Sequence, residues 1–528
     1  MAETKKVYRK FELQLSPVWV VLLLLLATLV WGQAPAQQAP SQPATPAQGQ
    51  TAPGGDARPP QGETAAGARS AQEQKPKVAG EDAGATAERK ISPKEAEELF
   101  RSVDEILKFA SKDTGLPIKQ EVKKQLTSRN EVEAYLQKNM SEDKDAQRLR
   151  RSELVLKKFG LLPRDFNLET FLVALLKEQV AGYYDPKTKT VNLLNWLEVE
   201  QQRPVMAHEL THALQDQSFD LEQWMKAGDA DLADKKQPTP EDIENDEINT
   251  ARQAVVEGQA MAVMLDYLLA PSGQTLANSR ELWNKLKEGM LVGTPDAIEF
   301  HNAPIYLREA LTFPYRYGVD FEAELLVSGG KQKAFAAAFA NPPHTTRQIM
   351  QPKTYLSGEH ITPMRLPDFA TAFKNYDRFD IGGVGEFDVA LLVDQYAGVE
   401  ASRALYPHWR GGYYYAARPK GDASAPLALL YVSRWSTVEH AAEFAAIYAK
   451  SLPKRYQRAH EVQDGSKNAE LDLEALETLV GKHTWLTEEG PVVIEVEGDT
   501  VLVTESLDQA ATEKLEAEVF QPAEAPGR

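Results

Sequence analysis

The sequence predicts an α+β protein: a mostly helical domain with a small sheet, followed by a smaller α+β domain. Three observations carry this prediction. Apolar residues recur at helical spacing from Ser92 onward, a strand-turn-strand pattern interrupts the helices at 181–194, and strands alternate with helices beyond about 365. The roughly 440 residues after position 90 exceed one ordinary domain. We therefore expect a first domain over 91–365, a second over 366–508, and a flexible Ala/Glu-rich tail over 509–528.

Residues 1–36 have the layout of a secretory signal peptide. Basic residues precede an apolar core from Val18 to Trp31, and Ala34-Pro35-Ala36 offers a small-residue cleavage site. The core is short for a transmembrane helix. An uncleaved anchor stays an alternative, because Pro35 beside the site can slow processing. We expect an exported protein, periplasmic or extracellular, that contacts the membrane only through this segment if it is uncleaved.

Residues 37–90 are rich in Gln, Ala, Pro, Gly and Ser and have almost no large apolar side chain. Such a composition cannot bury enough surface to fold, which predicts a disordered tether. The chain contains no cysteine, which excludes disulfides and thiolate metal sites. The net charge of −18, without a basic cluster in the folded region, argues against nucleic acid or anionic lipid as a partner. Export without cysteine suits a bacterial envelope.

The elements follow in order from local patterns. Helical periodicity predicts helices within 95–112, 131–140, 149–160 and 168–179, and the alternating segment 181–194 predicts a β-hairpin that turns at Asp185-Pro186. The second part predicts helices at 387–398 and 437–452, strands at 411–418 and 425–435, and a hairpin at 491–506 that turns at Gly498-Asp499. Four histidines there have no ligand spacing and are interpreted as ordinary surface or core residues: His408, His440, His460 and His483.

The segment His208-Glu209-Leu210-Thr211-His212 is the most informative in the chain. Two histidines four residues apart share one helix face, so both imidazoles can reach a single metal ion. The carboxylate of Glu209 between them can accept a proton from an attacking water. Pro204 suits the first turn of this helix. Asp216, one turn beyond His212, can orient that imidazole, although a solvated carboxylate is an equally plain interpretation.

Glu257 is the candidate third ligand. It is the only charged residue between Arg252 and Asp266, and a carboxylate in so apolar a helix is costly unless it is paired or bound to metal. A stripe of small residues beside it would allow another helix to approach closely, as the pairing with the His208/His212 helix requires: Ala251, Ala254, Gly258 and Ala262. The alternative is a buried glutamate that is hydrogen-bonded within the core.

These residues carry a resemblance. HELTH followed by Glu257 resembles the gluzincin branch of the zincin metallopeptidases, and the phrases HELTHALQDQ, AGYYDPKTKTVNLL, LTFPYRYG and PPHTTRQIMQP resemble uncharacterised exported bacterial members. The resemblance covers about 165–360. It implies a helix-rich, zincin-like peptidase domain with a small sheet, one Zn²⁺, and hydrolysis of peptide or protein substrates. The chain departs from the thermolysin-like pattern at Met261, where an acidic residue would support the site, and Asp216 is the substitute candidate.

The same resemblance makes the 181–194 hairpin a substrate-binding edge, with Tyr183 and Tyr184 facing the site. Hydrolysis also needs a donor that stabilises the oxyanion. The main candidates are Tyr315 and His344, which lie in turn-bounded phrases; His301, Tyr306 and Tyr317 are further possibilities, and each of these residues can instead be structural.

Two other functions remain open at this level. The chain could be a degenerate peptidase fold that serves as an envelope chaperone or scaffold, although the intact Glu209 argues against a purely structural site. It could also be a peptide- or glycan-binding envelope protein whose second domain is the active part. The sequence does not indicate an oligomeric state.

Overall fold

The computed structural model describes residues 90–132, 134, 143–179, 182–226, 232, 235, 237–290, 297–462 and 472–521. The predicted signal segment and nearly all of the predicted tether lie outside the described residues. No helix in the described part of the chain is both long enough and apolar enough to cross a membrane.

The predicted α+β class is confirmed, since the described residues form many helices, a three-stranded sheet and a seven-stranded sheet. The first part contains α1 (Pro93–Thr114), β1 (Lys123–Thr127), α2 (Asp143–Phe159), α3 (Leu168–Gln179), β2 (Tyr183–Asp185), β3 (Thr190–Leu194), α4 (Val199–Phe219), α5 (Leu221–Lys226), α6 (Pro240–Glu244), α7 (Ile248–Leu269), α8 (Arg280–Met290), α9 (Ile298–Asn302), α10 (Ile305–Lys331), a π-helical turn (Gln332–Ala337), α11 (Ala338–Ala340), α12 (Thr346–Met350) and α13 (Pro352–Ser357).

Local chemistry explains where the first elements begin and turn. The Ser92 hydroxyl and the Glu95 carboxylate form a capping box at the start of α1, which satisfies two free backbone N–H groups. The predicted hairpin is confirmed: β2 pairs antiparallel with β3, and the Asp185 carboxylate accepts hydrogen bonds from the Lys187 N–H and the Thr188 hydroxyl in the turn. The sheet order is β1-β3-β2, with β1 parallel to β3, so β2 is an edge strand.

The second part contains α14 (Phe369–Ala372), β4 (Tyr376–Gly383), α15 (Glu386–Ala397), α16 (Val399–Leu405), β5 (Trp409–Pro419), β6 (Ala428–Trp435), α17 (Val438–Arg455), β7 (Ala459–Glu461), β8 (Gly481–Thr487), β9 (Gly490–Glu497), β10 (Thr500–Glu505) and α18 (Gln509–Val519). Strands β4 to β10 form an antiparallel sheet in the order β4-β5-β6-β10-β9-β8-β7. The predicted helix-strand-strand-helix-hairpin succession of this part is confirmed.

Two features of this part differ from the expectation or qualify it. The residues expected to form a flexible tail contain α18, because the Asp508 carboxylate caps its first turn and Leu515 is fully buried. Helix α2 contributes Val155 and Phe159 to the apolar core formed by α15, α17 and the large sheet. The domain boundary at 365 stays a prediction.

Helices α7 and α10 cross at very short range. A Cβ added at Gly258 would lie 2.3 Å from the backbone of Gly318, and one at Gly318 would lie 2.3 Å from the carbonyl oxygen of Ala254. Two residues of the small-residue stripe, Ala254 and Gly258, therefore pack against α10, a helix that the expectation did not include. Tyr315 is one turn before Gly318 on α10, so this crossing brings Tyr315 next to Glu257.

Candidate metal centre

Helix α4 carries the two histidines in the interior of the protein. It begins at Val199, earlier than the expected start near Pro204, and most of its residues from Pro204 to Asp216 are buried. Apolar side chains on several sides of the helix enclose it between α1 and α7, so the histidines are not on an exposed face. The relative exposure of His208 is 0 % and that of Glu209 is 4 %.

The structure brings the three predicted ligands together. The Nε2 atoms of His208 and His212 are 2.9 Å apart, Glu257 Oε2 lies 3.0 Å from His208 Nε2, and it lies 3.5 Å from His212 Nε2. The rings stand nearly perpendicular, with an interplanar angle of 85°. Three ligand atoms from two helices thus converge on one point, with spacings close to those of a metal coordination sphere.

The residues fit a zinc ion by their chemistry. Two imidazole nitrogens and one carboxylate oxygen form a ligand set that Zn²⁺ takes in catalytic sites, where a fourth position stays open. Two Nε2 lone pairs this close, next to a carboxylate, repel one another unless a cation or a shared proton lies between them. His208 Nδ1 is also buried without a hydrogen-bond partner in the described chain.

The neighbouring charges in this cluster lower the pKa of Glu257 and raise that of His212. Burial alone would raise the pKa of Glu257, but the charge of His212 and hydrogen bonds from both imidazoles hold it below its usual range. Burial would lower the pKa of His212, but the neighbouring Glu257 carboxylate raises it. Burial lowers the pKa of His208. The site therefore favours an ionised Glu257 with one cation beside it, which is the charge state that a metal ligand needs.

Glu209 lies against the edge strand of the small sheet. Its Oε2 accepts a hydrogen bond of 2.7 Å from the backbone N–H of Tyr184 in β2. Burial raises the pKa of Glu209 to about 7, while the Tyr184 N–H acts in the opposite direction. A carboxylate with such a pKa can accept and return a proton near neutral pH, which is the property of a general base.

Tyr315 reaches the same cluster from α10. Its side chain is fully buried, its hydroxyl hydrogen-bonds to Glu257, and its ring stacks at 6.2 Å on that of His208. Burial and the charges of Glu257 and Glu209 raise its pKa above the usual range, so the hydroxyl keeps its proton and can donate it. The other tyrosine candidates lie elsewhere: Tyr306 hydrogen-bonds to Asp388, and Tyr317 packs on Phe313 and Phe387.

Asp216 does not orient a ligand imidazole. Its Oδ2 accepts hydrogen bonds of 2.7 Å from both the Tyr184 hydroxyl and Lys189 Nζ, and its Oδ1 accepts one from the Leu221 N–H. The side chain points from α4 toward the hairpin, so its hydrogen bonds to Tyr184 and Lys189 anchor the hairpin to α4. The expectation that it supports His212 fails because Tyr184, Lys189 and the Leu221 N–H engage both of its carboxylate oxygens.

The structure separates the remaining candidates. Tyr183 is buried on the face of β2 opposite to Tyr184. It packs in an apolar cluster with side chains of α3 and α10. Tyr184 touches Glu209 only through its backbone. The side chain of His344 is exposed, and no contact within the described residues joins it to the metal cluster. His301 is also exposed.

Sequence reasoning missed Gln215 as a residue of this site. Its side chain is fully buried, and its Oε1 lies 2.9 Å from His212 Nδ1. The signal that could have found it is spacing: Gln215 follows His212 by three residues and therefore shares its helix face.

Comparison of the whole chain with family models, with curated proteins and with solved structures finds no match.

Proposed function

We propose that this protein is a zinc-dependent peptidase that hydrolyses peptide bonds with Glu209 as general base. The observation that carries the proposal is the convergence of His208, His212 and Glu257 on one point, with a second buried carboxylate, Glu209, on the next residue of the same helix. A site that only stabilised the fold would not need that fourth group.

The residues divide the chemistry between them. His208, His212 and Glu257 would hold Zn²⁺, which supplies Lewis acidity that polarises a carbonyl and makes water more acidic. Glu209, with a pKa of about 7, takes the proton of the attacking water and later returns it to the leaving amine.

The surroundings support peptide as the substrate class. Strand β2 is an edge strand, and the backbone N–H of Tyr184 donates to the Glu209 carboxylate and not to a neighbouring strand. An extended peptide that adds to this edge by backbone hydrogen bonds would pass the general base with little sequence selectivity. The protonated Tyr315 hydroxyl, beside Glu257, is our candidate donor to the oxyanion. We propose that the reaction takes place outside the cytoplasm, in a bacterial envelope, as the N-terminal pattern of the sequence predicts.

One observation favours a second candidate, a zincin-like scaffold or chaperone with a structural ion. The side chains of His208, His212 and Glu257 are only 0, 12 and 8 % exposed, so a substrate has little access in this conformation. Hydrolysis by the wild type but not by Glu209→Gln separates the two candidates, because a scaffold would bind zinc and hydrolyse nothing.

The first test is zinc per chain in the purified protein, measured beside Glu257→Ala, since metal content needs no known substrate. We expect about one zinc in the wild type and a clear loss in the variant. A wild type that holds no zinc, even after reconstitution, would refute the proposal.

A further inference from the structure

We propose that Gln215 is the positioning residue of the metal centre: it holds His212 in the tautomer that carries its proton on Nδ1 and presents Nε2 to the ion. This inference rests on the proposed function for the identity of the ion, but its structural part concerns the imidazole alone. Gln215 acts through His212 and touches no reacting atom.

A chain of buried amides connects His212 to two backbone carbonyls. Gln215 Nε2 donates to the Val256 carbonyl at 3.1 Å and to Gln259 Oε1 at 2.9 Å, and Gln259 Nε2 donates to the Ala334 carbonyl at 2.8 Å. Gln215 and Gln259 are both fully buried, so water does not compete for these hydrogen bonds. These hydrogen bonds run from the Ala334 carbonyl in the π-helical turn, through Gln259 on α7 and Gln215 on α4, to the imidazole of His212.

The two backbone carbonyls determine which end of each glutamine amide donates and which accepts. A backbone carbonyl can only accept, so the amide group that faces Val256 must be the NH₂ of Gln215, and its oxygen must face His212. The Ala334 carbonyl orients Gln259 in the same way, which turns the oxygen of Gln259 toward Gln215. Because Gln215 Oε1 can only accept, His212 Nδ1 must carry the proton. In neutral His212 the lone pair then lies on Nε2, which is the atom that faces His208 and Glu257.

The arrangement also ties the two ligand helices together. The carbonyl that orients Gln215 belongs to Val256, the residue before Glu257, so one amide sets the position of His212 relative to the third ligand. His208 has no comparable support, since its Nδ1 is buried without a partner in the part of the chain that the structure describes. The two histidine ligands are therefore unequal, and loss of Gln215 would act on His212.

Metal affinity tests the proposal without a substrate. Zinc dissociation constants, measured by competition with a chromophoric chelator, should be about 10- to 100-fold weaker in Gln215→Leu, the cost usual for loss of such a partner. Gln217→Leu is the matched control on the same helix, since Gln217 accepts from the N–H groups of Lys119 and Gln120 and should leave zinc affinity unchanged. Gln215→Glu should restore only part of the loss, because one carboxyl oxygen can accept from Nδ1 while the other faces the Val256 carbonyl, which also accepts. Equal affinities in the wild type and Gln215→Leu would overturn the proposal.

A second measurement reads the tautomer directly. In metal-free wild-type protein labelled with ¹⁵N-histidine, at a pH at which His212 is neutral, long-range ¹H–¹⁵N correlation should show the proton on Nδ1. The signals are assigned by their loss in His212→Ala. A proton on Nε2 would overturn the inference even if zinc binds. A proton on Nδ1 would support it even if the wild type binds no zinc and the proposed peptidase function fails. This measurement also decides the matter if Gln215→Leu does not fold.

Discussion

Two clusters in this protein each surround a buried glutamate, and they differ in whether the protein itself satisfies their polar atoms. In the second part of the chain, Glu505 Oε1 accepts from the Tyr448 hydroxyl at 2.8 Å and from Arg455 Nη2 at 2.7 Å. Its Oε2 accepts from the Tyr456 hydroxyl and lies 3.5 Å from Lys158 Nζ. Every lone pair of this carboxylate faces a donor.

The cluster of His208, His212 and Glu257 is open by comparison. Its three ligand atoms face one another at 2.9 to 3.5 Å, and His208 Nδ1 has no partner among the described residues. In the closed cluster around Glu505, protein groups supply all the hydrogen-bond partners. In the open cluster, a further group must supply partners that the protein does not. The comparison teaches that convergence of ligand atoms that leaves them unsatisfied, and not burial of charge by itself, distinguishes the candidate functional site.

The largest effect that would sharpen this comparison is catalytic. Glu209→Gln should lower kcat by a factor on the order of 10² to 10⁴ and leave zinc in place, because the amide cannot accept the proton. New N-termini, generated from a mixture of denatured proteins and counted by mass spectrometry, measure the loss. Glu200→Gln, on the exposed side of the same helix, is the control. Full activity in Glu209→Gln would contradict the mechanism.

The closed cluster should respond in the opposite way. Glu505→Gln leaves Arg455 buried without its counter-charge, while Lys158 keeps Glu489, and should lower the free energy of unfolding by about 3–5 kcal/mol. Zinc content should not change. Urea unfolding of the variant, beside the exposed Glu497→Gln on the neighbouring strand, measures the difference. A variant that lost zinc but kept its stability would show that the two clusters are not independent.

The close crossing of α7 and α10 connects packing to the open cluster. Gly318→Ala places a methyl group against the Ala254 carbonyl and should cost about 1–3 kcal/mol, with weaker zinc binding because Glu257 and Tyr315 must move apart. Val327→Ala, at an exposed position of the same helix, is the control and should be neutral or slightly stabilising. Thermal unfolding and chelator competition compare the two variants, and equal behaviour would refute the packing argument.

We expect the smallest effects from pH, with opposite signs in two regions. Burial, before any other cause, raises the pKa of Glu247 to about 8, so its proton stabilises the fold and this stability grows as pH falls from about 8 toward 4.5. For Glu505, burial acts upward, but Arg455 and Lys158 lower its pKa to about 2. Its contribution is therefore present above pH 4.5 and is lost as pH falls toward 2.

Urea unfolding at a series of pH values should thus show a maximum on the mildly acidic side. Glu247→Gln should flatten the rise, and Glu505→Gln should remove part of the fall below pH 4.5. A wild type whose stability rises steadily from pH 5 to pH 8 would contradict the first assignment.

Much of the fold was predictable because its signals are local. The capping box at Ser92, the turn at Asp185-Pro186 and the β9–β10 hairpin depend on residues a few positions apart. The tail over 509–519 was mispredicted because its helix depends on burial of Leu515 against other elements, which composition does not reveal. His408 and His440, which have no ligand spacing, stack at 3.6 Å because β5 and α17 bring them together.

The same division applies to the metal centre. The sequence by itself determined that His208 and His212 share a helix face, with Glu209 beside them, because the period of an α-helix is fixed. Only the tertiary structure decided that Glu257 meets them, that Tyr315 and not Tyr306 or Tyr317 accompanies it, and that Gln215 takes the role expected of Asp216. The physical reason is that each of these contacts depends on how α4, α7 and α10 rotate and approach one another, and helix packing is set by the shapes of whole faces.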